Sequence, residues 1–230
     1  MIINSPFNKN IAPHGQAHEG LVSTSLGLPG IPSLAEELMI QRDIQLLEYT
    51  DSRLHLHNIS TKKSVELVRQ AKKQGIKLTA SVAALNLCFD DAAIKNFDTH
   101  FKVMPPLREK SDIEALINGL KDGTIDFIST NHTPIDVEGK ELEFPYAEFG
   151  ALGLETAFAM TLTFLHKKLT INQLIEKWAV NPRRVLGLQI PEIEEGAKAN
   201  LMIFDPKQEW SPDTKSHFQS RKMSHFRAKY

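Results

Sequence analysis

Residues 53–82 read RLHLHNISTKKSVELVRQAKKQGIKLTASV, and this stretch decides the fold. Between residues 53 and 58 leucines alternate with histidines, which is the pattern of a β-strand whose two faces differ. Apolar residues then repeat at helical spacing from residue 61 to a glycine that ends the helix. Residues 76–82 form a second run of strand length. A strand, a helix and a strand in this order predict two parallel strands joined by a crossover helix.

The same alternation continues on both sides of this unit. Strands are predicted at residues 1–3, 53–58, 76–82, 100–104 and 125–130, and helices at residues 33–49, 61–75, 111–123, 152–168 and 170–182. This pattern predicts an α/β fold with helices outside a parallel sheet. About five βα units are present, about three strands short of a closed (β/α)8 barrel. An open doubly wound sheet is the weaker alternative, because no Gly-x-Gly-x-x-Gly turn follows a strand.

Three helix starts carry the spacing of a capping box, in which side chains at both ends of a tetrapeptide bond the free backbone amides. They are Ser33 with Glu36, Ser111 with Glu114, and Thr170 with Gln173. We therefore expect helices to begin at these three serine and threonine residues.

The pattern weakens towards the end of the chain. Residues 1–188 are predicted to form the partial barrel. Residues 189–206 are predicted to be a short C-terminal segment of a small β domain, with a strand at residues 199–204. Residues 207–230 form a basic, polar tail that we expect to be ordered only by docking.

Composition places the chain among ordinary globular proteins. It has 230 residues, of which 41% are hydrophobic and 24% charged, with a formal net charge of −1. This balance gives no field that would draw the chain to nucleic acid or to an anionic membrane. The single cysteine, Cys88, the absence of a signal-peptide pattern and the absence of an apolar run of about 18 residues predict a cytoplasmic location.

Histidine and arginine side chains at predicted strand ends are the first candidates for chemistry. His55 and His57 stand two residues apart and so face one side of a strand, where they could bind a metal or serve as hydrogen-bonded structural groups. His14 and His18 are four residues apart, but no helix is predicted there. Arg108 follows a double proline, a rigid position for reading a carboxylate or for forming an ion pair.

The motifs KVMPPLR at residues 102–108, GTIDFISTNHTP at residues 123–134 and GALGLET at residues 150–156 resemble segments of dihydroorotases, which belong to the amidohydrolase superfamily. Residues 102–108, KVMPPLR, resemble the KVNPPLR signature of that family, and residues 123–134, GTIDFISTNHTP, resemble its D-G-x-I-D-x-I-x-x-D-H-x-P segment. Residues 150–156, GALGLET, resemble its G-x-x-G-L-E-T helix start, and residues 26–32 and 181–188 match as well. The resemblance implies the later part of a (β/α)8 TIM barrel of the amidohydrolase type, without the N-terminal part. It also implies zinc-dependent interconversion of carbamoyl aspartate and dihydroorotate in pyrimidine biosynthesis.

The resemblance further implies where zinc and substrate would bind. The positions of the family's metal ligands fall on residues that bind zinc poorly: Asn8, Asn58, Leu85, Asn86 and Asn131. Asn131 stands at the position of the general-base aspartate and is followed by His132. The substrate-binding positions fall on Met104, Asn86 and Arg108. No zinc or other cofactor is therefore expected, because amide side chains are poor zinc ligands and cannot take up a proton.

Three hypotheses follow from the sequence. The first is a catalytically silent dihydroorotase-like protein (a pseudoenzyme) that acts as an assembly partner, either of aspartate transcarbamoylase, as the family resemblance implies, or of its own copies. The second is an active zinc-dependent hydrolase of cyclic amides, either a dihydroorotase or a relative of hydantoinases and dihydropyrimidinases, with His55, His57 and His132 as the remaining candidate residues. The third is a partial chain with an open sheet edge and no independent role.

Overall fold

A four-stranded parallel sheet lies at the centre of the structure, a computed structural model that describes residues 1–209. Its strand order is β1-β4-β5-β6, and a separate pair of two-residue strands, β2 and β3, is also parallel. The strands are β1 (Ile2–Asn4), β2 (Ala17–His18), β3 (Gly30–Ile31), β4 (Leu54–Leu56), β5 (Leu78–Ala83) and β6 (Phe127–Ser129). The predicted α/β class with a parallel sheet is confirmed.

Helices connect the strands and cover one face of the sheet. They are α1 (Leu21–Ser25), α2 (Leu34–Thr50), α3 (Lys62–Lys73), α4 (Ala84–Cys88), α5 (Lys110–Lys121), α6 (Val137–Lys140), α7 (Ala157–Leu165), α8 (Ile171–Ile175) and α9 (Asn181–Leu186). A π-helical turn, Glu176–Val180, links the last two. Within residues 1–209, every helix falls short of the length and apolarity that crossing a bilayer would require.

The unit that decides the fold forms as its sequence predicts. Thr61 caps α3 by accepting a hydrogen bond from the Ser64 backbone N–H, and the buried face of this helix carries Val65, Val68 and Ala71. These side chains pack in the same core as Leu54 and Leu56 of β4 and the apolar residues of β5. Burial of this apolar face supplies most of the stabilisation of such a layer.

Strand register sorts the side chains of the sheet into two faces. Leu54 pairs with Leu78 and points to the helices, whereas His55 pairs with Thr79 and Ser81 pairs with Phe127 on the opposite face. Alternation along β4 and β5 therefore separates an apolar outer face from an inner face that carries the histidines and the hydroxyl groups. The candidate site lies on and just beyond this inner face.

The predicted strand at residues 100–104 is wrong. The chain there forms a 3-10 turn, Thr99–Phe101, followed by an extended stretch that ends at the cis Met104–Pro105 bond. Pro105 and Pro106 have no backbone N–H to donate to a neighbouring strand, so the segment is excluded from the ladder and β5 pairs directly with β6.

The predicted strand at residues 199–204 is also wrong. In the described chain no strand follows β6, and the apolar side chains of Leu201, Met202 and Ile203 are exposed. They have no partner strand or packed surface that would order them as a ladder. Of the predicted polar tail, residues 210–230 lie outside the described part.

Two of the three predicted capping boxes are wrong. Ser33 has helical backbone angles and makes no side-chain cap bond, and the Glu36 carboxylate accepts hydrogen bonds from Ser60 and Thr61, far along the chain, instead of from the Ser33 N–H. Helix α5 begins at Lys110 rather than after Ser111. The third box, in which Thr170 and Gln173 bond each other's backbone amides, is confirmed.

The last long helices have different bounds from those predicted. Helix α7 begins only at Ala157, five residues after the predicted start, since residues 150–156 form an irregular loop. Pro182 does not end the final helix. It lies in the first turn of α9, where a missing N–H costs nothing.

Candidate functional site at the strand ends

Two asparagines mark the points where the sheet's inner face ends. Asn58 follows β4 with φ +60, and Asn131 follows β6 with φ +48. Asparagine adopts this left-handed region more readily than most residues, so both turns suit their sequence. The turns bring the two side chains together across the strand ends, although 73 residues separate them.

The two amides form a continuous hydrogen-bonded chain. The Asn58 Nδ2 donates to the Asn131 Oδ1 at 3.0 Å, and the Asn131 Nδ2 donates to the Met104 carbonyl oxygen at 3.0 Å. The Ser129 hydroxyl donates to the Asn58 Oδ1 at 2.6 Å. Each donor therefore meets an acceptor, and the arrangement is satisfied with every group neutral.

The two strand histidines are held by hydroxyl groups of β5. The Nδ1 of His55 lies 2.9 Å from the Thr79 Oγ1, and its Nε2 lies 3.0 Å from the Ser81 Oγ. Its ring stacks on Phe127 at a centroid distance of 4.8 Å. Burial, and then the charges of His57 and Lys72, lower the pKa of His55 to about 4. This histidine is therefore neutral at physiological pH, with both ring nitrogens engaged.

His57 lies between this pair and the asparagines. Its Nδ1 is 3.2 Å from the Ser81 Oγ, and its Nε2 is 3.0 Å from the Asn58 Nδ2. Because an amide nitrogen only donates, the Nε2 accepts and the proton sits on the Nδ1. Burial lowers the pKa of His57 as well, which favours this neutral form.

His132 is oriented by the loop before α7. Its Nδ1 accepts hydrogen bonds from the backbone amides of Gly153, at 3.1 Å, and Leu154, at 3.4 Å. A side chain at Gly153 would put its Cβ 2.4 Å from the Thr130 carbonyl oxygen, so only glycine permits this approach. The GALGLET motif thus positions the ring that follows Asn131.

Arg108 is buried away from the strand-end network, with 1% of its surface exposed. Its Nε donates to the Ser60 Oγ at 3.1 Å, and one terminal nitrogen donates to the Ile31 carbonyl oxygen and to His18, each at 3.0 Å. Its other terminal nitrogen lies 3.8 Å from the Glu36 carboxylate. The structure therefore engages this guanidinium within the protein.

The remaining candidates lie in different surroundings. Asn86 donates to the Pro106 carbonyl oxygen at 2.9 Å, and Leu85 packs in the main core. Met104 reaches the network through its backbone carbonyl. Asn8 lies in a separate turn, where its side-chain oxygen accepts from the Asn10 amide at 3.0 Å.

Sequence reasoning missed one strand-end residue, Asn4. It ends β1, donates to the Asp43 carboxylate at 2.5 Å, and accepts the His57 backbone N–H at 2.8 Å through its carbonyl oxygen. The predicted first strand stops at residue 3, one residue short of Asn4, so the sequence did not place this side chain at a strand end.

The strand-end side chains do not fit a zinc ion. Zinc takes three or four converging histidine, cysteine or carboxylate ligands. Within residues 1–209 no three such side chains converge, and His14 is exposed while the Nδ1 of His18 meets Arg108. His55 and His57 use both ring nitrogens in hydrogen bonds, and the residues beside them are neutral amides.

Relatives of the chain agree with this fold. A family model described as the amidohydrolase family matches residues 9–225. The dihydroorotase of Thermoanaerobacter sp. (strain X514) is 46% identical over 96% of this chain and 51% of its own length. The dihydroorotase of Acetivibrio thermocellus is 45% identical over 98% of this chain and 53% of its own length. The chain thus spans about half the length of the curated relatives it matches.

The fold is also similar to that of a solved hydantoinase. The L-hydantoinase (dihydropyrimidinase) from Arthrobacter aurescens superposes with a TM-score of 0.74 at 25% identity, over 86% of this chain and 46% of that one. The parallel sheet, its helical layer and the family match over residues 9–225 together lead to one assignment. The chain belongs to the amidohydrolase family.

Proposed function

We propose that this chain is a dihydroorotase-like amidohydrolase without hydrolytic activity of its own, which serves pyrimidine biosynthesis as an assembly partner. The observation that carries the proposal is the hydrogen bond between Asn58 and Asn131. It occupies the place where, by resemblance to dihydroorotases, a histidine ligand and a general-base aspartate would meet.

The chemistry of these two amides supports the proposal. Hydrolysis of a cyclic amide needs a group that removes a proton from the attacking water. An amide oxygen is far too weak a base for this step, and the Asn131 oxygen already accepts the Asn58 N–H. A water molecule placed there would meet two neutral amides in place of a carboxylate base.

The surroundings favour an amide over a carboxylate at residue 131. The Asn131 Nδ2 points at the Met104 carbonyl oxygen. An aspartate would set a negative oxygen against this carbonyl, and only protonation or a bound cation would relieve the repulsion. The hydrogen-bond partners of residue 131 therefore suit an asparagine rather than an ionised aspartate.

The residues at the substrate-binding positions support the same proposal. The Arg108 guanidinium is buried against Ser60 and Ile31, and the Asn86 amide holds the Pro106 carbonyl oxygen. The Asn86 Nδ2 and the Arg108 Nε and Nη1 donate to the protein, whereas the buried Arg108 Nη2 has no hydrogen-bond acceptor among residues 1–209. Arg108 is 1% exposed, so this remaining donor is not accessible to a substrate carboxylate without a rearrangement of the surrounding chain.

The test is turnover of dihydroorotate and of carbamoyl aspartate by the purified chain, with and without added zinc. The Acetivibrio thermocellus dihydroorotase serves as the positive control in the same assay. We expect no turnover above the uncatalysed rate, and none from Asn131→Asp, since one carboxylate does not rebuild a ligand set. An affinity pull-down with aspartate transcarbamoylase then tests that partner.

Zinc-dependent turnover would overturn the proposal if it falls at least tenfold in both His57→Ala and His132→Ala. The exposed His14→Ala is the matched control and should leave any such activity unchanged. That result would establish the alternative, an active cyclic-amide hydrolase that uses these histidines.

A further inference from the structure

One edge of the described sheet exposes apolar side chains. Strand β1 is the first in the order, so one side of its backbone meets no other strand among residues 1–209. Its Ile2 and Ile3 are 62% and 56% exposed, and Met1 beside them is exposed too. An exposed apolar edge strand is a pairing surface, which proteins otherwise cover or protect with charge.

The helix outside this strand exposes a matching apolar stripe. Helix α2 lies beside β1, since the Asn4 side chain bonds Asp43 and the Asn8 backbone N–H bonds the Ala35 carbonyl oxygen. One face of this helix carries exposed apolar side chains at helical spacing on both sides of the exposed Arg42: Leu34, Leu38, Leu46 and Tyr49. Within the described part of the chain, the strand and this helix face are therefore both without a packed partner at the same edge.

The opposite edge of the sheet has the same two layers. Strand β6 is last in the order, and the helical segment after α7 is anchored beside it. The Lys177 Nζ bonds the Ile125 carbonyl oxygen, and the Asn181 Nδ2 bonds the Asp126 carbonyl oxygen. This segment exposes Ile171, Ile175 and Leu186. Each edge thus offers one strand and one apolar helical surface.

We infer that a second copy of this chain covers both edges. In this dimer, the β1–α2 edge of each copy meets the β6–α8–α9 edge of the other copy. The two contacts are equivalent and are related by a twofold axis that runs along the barrel. This inference rests on the assembly part of the proposed function and names the partner.

Topology favours this occupant over others. Rotation about an axis along the strands keeps all strands parallel, and two sets of four give the eight strands that close a (β/α)8 barrel. Pairing β1 with β1 of a second copy would leave both β6 edges open. A second copy supplies a parallel strand and an apolar helical face together at each edge.

Mass in solution tests the association. Light scattering after size exclusion should give twice the 25.9 kDa of one chain. Ile3→Glu and Leu38→Glu should each weaken the dimer at least tenfold, because each places a charge in the seam. Leu21→Glu is the matched control, since Leu21 is exposed on α1, away from both edges, and should leave the mass unchanged. All variants should unfold cooperatively, since the replaced side chains are exposed in one chain.

Cross-linking tests the geometry. Leu38→Cys and Ile175→Cys are purified separately and treated with a short bis-maleimide, alone and after mixing. A cross-linked dimer should form only in the mixture, since α2 meets α8 rather than itself. The wild-type chain measures any reaction of Cys88, a half-buried thiol whose pKa burial raises.

Three results would overturn the inference: a folded monomer at every accessible concentration, cross-linking of Leu38→Cys with itself, or a ladder of higher oligomers. The catalytic proposal is measured separately by turnover. A monomer without turnover would remove this inference alone, whereas a dimer with zinc-dependent turnover would remove only the claim of inactivity.

Discussion

Replacing Arg108 by methionine should strongly destabilise the chain. The guanidinium is 1% exposed and faces a Glu36 carboxylate that is 2% exposed. Burial lowers the pKa of Arg108, and Glu36 is the largest opposing influence, so the two charges depend on each other. Methionine fills much of the volume but removes the charge and every donor.

The magnitude follows from what the substitution leaves behind. Glu36 keeps hydrogen bonds from the Ser60 and Thr61 amides, at 2.7 and 3.2 Å, but loses its nearby positive charge. Removing one partner of a buried ion pair costs about 3–5 kcal/mol. Domains of this kind are stable by only about 5–15 kcal/mol, so the variant should approach unfolding.

Urea unfolding followed by circular dichroism measures this cost. The matched control is Arg69→Met, which breaks a surface pair with Asp122 at 2.8 Å and should cost under about 1 kcal/mol. The double variant Glu36→Gln with Arg108→Met should be more stable than Arg108→Met alone by about 1–3 kcal/mol. A cost for Arg108→Met no larger than that of the control would refute the buried-pair reasoning and free this arginine to read a substrate.

Two further predictions concern pH and the loop after β6. Burial, and then the charge of Arg108, lower the pKa of His18 from 6.5 to about 4. The stability that depends on neutral His18 is therefore complete above pH 6.5 and is lost as the pH falls towards 4. The free energy of unfolding, measured with urea across this range, should rise with pH by up to about 1.4 kcal/mol per pH unit because of this group. The same pH dependence in His18→Asn would contradict the prediction. Lys140→Met removes a 2.8 Å hydrogen bond from the Nζ to the Glu148 carbonyl oxygen, among others, and should cost about 1–3 kcal/mol. Hydrogen exchange should speed up in that loop but not in the exposed control Lys167→Met, and equal exchange in both variants would argue against the anchor.

Local pattern predicted the elements whose partners are close in sequence. The strand–helix–strand unit at residues 53–82 formed as expected because the strand alternation and the apolar spacing of the helix agree there. Thr170 with Gln173 formed its box for the same reason, since both partners lie within one turn. Such features need no knowledge of the rest of the chain.

Distant contacts account for the errors. Glu36 has the spacing of a capping residue, but its carboxylate bonds Ser60, and only the folded chain shows that competitor. The stretch before Pro105 is apolar enough for a strand, yet β5 pairs instead with β6, which lies much further along the chain. In both cases, hydrogen bonds between residues far apart in the sequence determined the structure, and the local sequence pattern did not.

The candidate site was predictable in its residues but not in its geometry. Family resemblance singled out Asn58 and Asn131, yet nothing in their spacing reveals that they bond each other, because the contact depends on two left-handed turns. The roles of Ser129 and of the Met104 carbonyl oxygen arise only from strand register. Hydroxyl partners of a histidine likewise leave no trace in sequence.

The zinc content of the purified chain tests the central claim most directly. The protein is incubated with excess zinc, desalted, and measured by mass spectrometry of the metal against protein concentration. The neutral Asn58–Asn131 network predicts far less than one zinc per chain, and no change in His57→Ala or His132→Ala. One zinc per chain, lost in both of these variants, would contradict the account and establish a metal centre at the strand ends.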